Sequence, residues 1–130
     1  MDSYPNLYPD EPWANVRRLR LVDNLIRWKT IEGNGPPWTA KGHDLFVFQQ
    51  DEILVAKIHL ITEFGRWLNH SDLAAGANVQ YAGEIQFGSS RSRRGKMKYW
   101  NNNSGHYKPA AEDSWKVSSL PQPYFEAIQS

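Results

Sequence analysis

Between Val79 and Phe87 the side chains alternate without a break, and this constrains the fold more than any other stretch. Val79, Tyr81, Gly83, Ile85 and Phe87 face one way, while Gln80, Ala82, Glu84 and Gln86 face the other. A period of two belongs to a strand, and a strand with one apolar face needs neighbouring strands and a core to cover it. Gly83 in its middle predicts a bulge or a close approach of another backbone segment. A second apolar run, Leu45 to Phe48, reads as a buried strand. Gln49 to Glu52 then turns the chain, and Ile53 to Ile61 forms the returning strand, with Val55, Lys57, His59 and Ile61 on one face.

The flanks read differently. Residues 1–11 form a proline-interrupted arm suited to lying across a surface. Over residues 12–32 the apolar positions Trp13, Val16, Leu19, Val22, Leu25, Ile26 and Ile31 form a helical stripe, with Pro12 at the first turn. Gly33-Asn34-Gly35-Pro36-Pro37 ends that helix. After Pro109, Ala110 to Val117 reads as a short helix, and Pro121 to Ile128 as a docked tail. The expected architecture is α+β: an N-terminal helix packed on a mostly antiparallel sheet of four or five strands, all one domain over residues 1–130.

Composition narrows the function. The 130 residues carry no cysteine, which excludes disulfides and thiolate chemistry and limits any metal site to histidine and carboxylate ligands. A net charge of +1 gives no global pull toward nucleic acid or membrane, so either must rest on local clustering. No run is long enough to span a bilayer, and the N-terminus has no signal-peptide plan. We expect no membrane partner and a cytoplasmic site of action, reached after secretion or injection if the domain is a delivered effector.

The chemistry-bearing residues concentrate between Asn69 and Pro109, beside glycines, where loops on a rigid sheet carry function. His70, Glu84, His106 and Tyr107 are the candidate catalytic groups. Ser71, Ser104 and the basic loop residues Arg91, Arg93 and Arg94 are the candidate substrate contacts. Two histidines titrate near neutrality, so a converging His70 and His106 would take and return a proton at a ribose 2′-hydroxyl. The arginines would offset phosphate charge and Tyr107 would stack or donate. Such a metal-independent ribonuclease needs no cofactor. His70, Tyr107 and Glu84 also supply the residue types of an NAD-dependent ADP-ribosyltransferase, although Glu84 precedes the other motif. A third reading makes the closing motif a structural corner in a binding module. His43 and His59 carry no functional expectation, and no spacing supports a metal site.

The order His70-Ser71, Ala82-Gly83-Glu84, then Ser104-Gly105-His106-Tyr107-Lys108-Pro109 resembles a C-terminal module of bacterial polymorphic toxins of the Rhs type. It is also similar to a region of fungal proteins and of plant IQ-motif calmodulin-binding proteins. The resemblance covers residues 44–109. It implies a toxin-like enzyme of interbacterial competition, acting on RNA or another nucleotide substrate and neutralised by a cognate immunity protein. Asp72 stands where a second serine is usual, and the basic loop Gly88–Gly95 replaces a short turn. Because no IQ motif is present, calmodulin is not an expected partner.

Overall fold

The computed structural model describes residues 3–128. Seven strands form one sheet: β1 (Leu19–Asp23), β2 (Trp28–Ile31), β3 (Trp38–Thr39), β4 (His43–Gln49), β5 (Glu52–Lys57), β6 (Tyr81–Phe87) and β7 (Met97–Trp100). Their order is β3-β2-β1-β5-β4-β6-β7, and every neighbouring pair is antiparallel. Among the described residues, helical structure is confined to one turn of α-helix, α1 (His70–Leu73), and two 3₁₀ turns at Ala111–Lys116 and Gln122–Tyr124.

Among the described residues the expected N-terminal helix is absent, and the strand count is seven rather than four or five. Residues 12–32 instead run extended into the β1–β2 hairpin. Leu19 and Leu21 share a face of β1, and Trp28 and Thr30 are the buried residues of β2, so the working period is two. What decides the matter is the turn. Asp23 Oδ1 accepts the Leu25 N–H at 2.9 Å, and Asn24 Oδ1 accepts those of Ile26 and Arg27 at 3.2 and 2.7 Å. Side chains that bond their own backbone in this way stabilise a turn and compete with helix. The returning strand is also shorter than expected, since β5 stops at Lys57 and His59 lies exposed with its ring edge-on to Trp67.

Strand β4 is buried on both faces, which explains its continuous apolar run. Phe46 and Phe48 join Ile53, Val55, Tyr81, Ile85 and Trp100 in one cluster. Leu45 and Val47 join Ala56, Leu73, Val79, Ala82 and Tyr107 in the other. The sheet also curls. Gly95 donates to Ala40 O at 2.6 Å and accepts from Trp28 N at 2.8 Å, so the β6–β7 hairpin reaches back to the β2–β3 end. Gly83 marks a close approach, as its sequence setting suggests. A Cβ there would lie 1.8 Å from Asn101 O, because the chain leaving β7 crosses directly over it.

Candidate functional site

Asn69 caps the single turn of α1, and Asp72 completes the capping box. Asp72 is fully buried. It accepts hydrogen bonds from the Ala14 and Asn69 backbones at 2.6 and 2.9 Å and from the fork of Arg66 at 2.7 and 2.8 Å. Burial alone would raise its carboxyl, but the Arg66 guanidinium and those backbone N–H groups outweigh burial and hold it below the usual range. Asp72 is thus the anchor that ties the N-terminal arm to α1.

His70 follows that cap into the interior and is only 5% exposed. Its Nε2 lies 2.7 Å from Gly83 O, and since a carbonyl only accepts, Nε2 carries the proton and donates. Burial pushes the imidazole down to about 4, against the opposing pull of that hydrogen bond and of Glu84. At neutral pH His70 is therefore an uncharged structural donor. Ser71 is buried beside it, donating to Asn69 Oδ1 at 2.5 Å.

Tyr107 is likewise in the core. Its hydroxyl donates to Ala77 O at 2.6 Å, and burial pushes its pKa up to about 12. His106, one residue earlier, is partly buried beneath the N-terminal arm: Nε2 sits 2.9 Å from Glu11 Oε2, and Tyr8 packs edge-on to the ring. It lies near enough to His70 for its charge to be felt there. Glu84 accepts from Asn101 Nδ2 at 3.1 Å and has His43 Nε2 at 3.7 Å. Ser104 is buried, and its hydroxyl has no protein partner among the described residues. The motif thus gathers His70, Glu84, Ser104, His106 and Tyr107 around one corner of the sheet, with His70 and Tyr107 bonded to backbone carbonyls.

The three arginines lie elsewhere. Their loop packs on Arg27, Thr39 and Ala40 through Gly95, whereas the His106 turn packs on Leu7, Tyr8 and Glu11. Arg91 and Arg93 are exposed to solvent. Arg94 lines an open cleft of about 410 Å³ together with Thr30, Trp38, Lys41, Asp44 and Lys57. Its Nε is buried with no hydrogen-bond partner among the described residues. Lys57 Nζ lies 3.0 Å from Asp44, whose carboxyl is raised by burial against the pull of that lysine. Trp38 is 70% exposed, and it also lines a second groove with Arg17, Leu19 and Pro36.

Of this cleft, sequence reasoning named only Arg94. Lys57 did leave a signal, a lysine sharing a strand face with Val55, and the β4–β5 register pairs it with Asp44. Trp38 and Lys41 sit just past the double proline, and nothing in their spacing marks them. Among the described residues no cluster of His, Asp and Glu could hold a metal ion, and no helix is long and apolar enough to cross a membrane. The chain matches no family model, no curated protein and no solved structure.

Proposed function

We propose that this chain is a nucleotide-binding effector domain that takes single-stranded RNA, or a nucleotide of the same chemistry, in the Trp38–Arg94 cleft. The observation that carries this reading is a guanidinium with an unpartnered nitrogen beside a largely exposed indole in one open cleft. Bases stack on an exposed aromatic whatever their sequence, and cations beside it meet the phosphates. Lys41, exposed and with no partner for its ammonium among the described residues, adds a second free charge. The toxin-like resemblance agrees in substrate class, since it implies an RNA or nucleotide target.

Anisotropy of a labelled single-stranded RNA tests the reading. Trp38→Ala is expected to weaken binding about 5- to 150-fold. The double change Lys41→Ala/Arg94→Ala is expected to lower the slope of log affinity against log salt by about 1.4, or about 0.7 for each phosphate that is no longer neutralised. Affinity and slope unchanged in both variants would reject the cleft.

A ribonuclease reading keeps one observation, the partly buried His106 held by Glu11. An imidazole oriented by a carboxylate is a competent general base. The paired-histidine form of that mechanism is not supported, because His70 is enclosed and its proton is engaged by Gly83. RNA cleavage in the presence of chelator, lost in His106→Ala and retained in His70→Gln, would establish the single-histidine form. Nothing in the geometry favours the transferase reading, for the Tyr107 ring is in the core and has no face to offer a nicotinamide.

A further inference from the structure

The tip of the β1–β2 hairpin carries two aliphatic side chains almost wholly in water: Leu25 is 94% exposed and Ile26 is 82% exposed. Leu25 also has φ +76°, a left-handed conformation in which glycine or asparagine is at ease and a branched apolar residue is strained. The turn itself is built by Asp23 and Asn24 and gains nothing from these two side chains. Neither folding nor solubility accounts for Leu25-Ile26 at this place.

Its neighbour supplies the rest of the pattern. Arg27 donates from one guanidinium nitrogen to Arg94 O and from the other to Ser92 O, which ties the tip to the arginine loop. Arg91 and Arg93 on that loop are exposed, and among the described residues neither guanidinium has a partner. The loop that carries two free cations is therefore fastened to the residue that follows the two aliphatic prongs.

We propose that this double tip is a docking device for an anionic bilayer surface, with Leu25 and Ile26 entering the apolar layer and Arg91 and Arg93 meeting lipid phosphates. The charge complementarity is that of interfacial membrane binders, in which a short apolar insertion and a basic patch act together. A nucleic acid would gain little from two aliphatic side chains, since bases stack on aromatic faces. A protein partner would be expected to meet the aromatic anchors that dominate protein interfaces, and this tip has none. The net charge of +1 does not argue against membrane docking, because local placement rather than the total sets the attraction.

Co-sedimentation with phosphatidylcholine vesicles, with and without one-third phosphatidylserine, tests the proposal on the full chain. The unmodified protein is expected to partition onto the anionic vesicles, less so as salt is raised. Leu25→Asn/Ile26→Asn is expected to reduce that partition by about tenfold or more. Asparagine tolerates the left-handed backbone, so this variant should fold at least as well, which its thermal midpoint checks. Arg91→Glu/Arg93→Glu should abolish the salt-sensitive part. No partition of the unmodified protein overturns the proposal. So does partition that is unchanged in the asparagine variant, or a loss in the arginine variant that appears only in RNA binding.

Discussion

The Ser104–Pro109 corner and the Trp38–Arg94 cleft treat polar groups in opposite ways. At the corner most are engaged internally, the buried Ser104 hydroxyl excepted: His70 to Gly83 O, Tyr107 to Ala77 O, and Asn102 Nδ2 to Pro109 O at 3.0 Å. In the cleft, Arg94 Nε and the Lys41 ammonium have no partner among the described residues, and Trp38 faces water. The corner is rich in residues associated with catalysis, yet most of them hold the sheet together. The cleft is plain in sequence and open in space. Residue type announces chemistry, but only the hydrogen-bond partner decides whether that chemistry is free.

The largest effect is expected where the corner is tightest. Gly83→Ala puts a methyl group into the Asn101 carbonyl, a backbone atom that cannot swing aside. It should cost about 4 kcal/mol or more and leave little folded protein, read by urea unfolding. If the variant folds normally, the corner is not the rigid region described.

Next comes acidity. The histidine of the unfolded chain titrates near 6.5, while folded His70 is pushed down to about 4. Between those values the unfolded state binds the proton and the folded state does not, so stability falls as pH falls through that window, by up to roughly 3 kcal/mol. Below it the depressed Asp72 carboxyl acts in the same direction, whereas the raised Asp44 carboxyl opposes the loss at pH values above its unfolded range, where the folded state takes up that proton first. Urea midpoints at several pH values would show the slope, and His70→Gln, which can still donate to Gly83 O, should flatten it.

A crossed experiment separates the two regions directly. Trp38→Ala should weaken RNA binding about 5- to 150-fold with an unchanged thermal midpoint. His106→Ala should leave binding in place. The reverse result would move the ligand site to the corner. The smallest effect is Tyr107→Phe, which removes one buried hydrogen bond to Ala77 O. It should cost about 1 kcal/mol of stability and nothing in affinity.

Much of the sheet was legible. The alternation from Tyr81 to Phe87, the Leu45–Phe48 run and the Gln49–Glu52 turn correspond to β6, β4 and the β4–β5 hairpin, where Gln50 and Asp51 both take positive φ, but Val79 lies before β6 and packs with Ala82 in the other cluster. The N-terminal region misled because Val16, Leu19 and Val22 fall at helical spacing, while Asp23-Asn24 is a turn signal that outweighs them. The corner residues were found because glycines and prolines frame them, but burial is invisible in a sequence, so their roles were not. The cleft could not be found at all from one stretch. It is assembled from all five strands β1 to β5 and the β6–β7 loop, and the Gly95 hydrogen bonds to Trp28 and Ala40, with those from Arg27 to Ser92 O and Arg94 O, bring Arg94 to Trp38.

The crossing of Asn101 over Gly83 has a consequence for how this molecule is made. A growing chain that has emerged only as far as Trp100 has all seven strands but an empty slot above β6. It also lacks the Tyr107 ring that fills the second cluster and the His106 carbonyl that receives Leu7 N–H. Locking of the structure must therefore wait until the segment from Asn101 to Tyr107 has emerged, and any fragment ending before that point should behave as a loose precursor rather than a smaller working version.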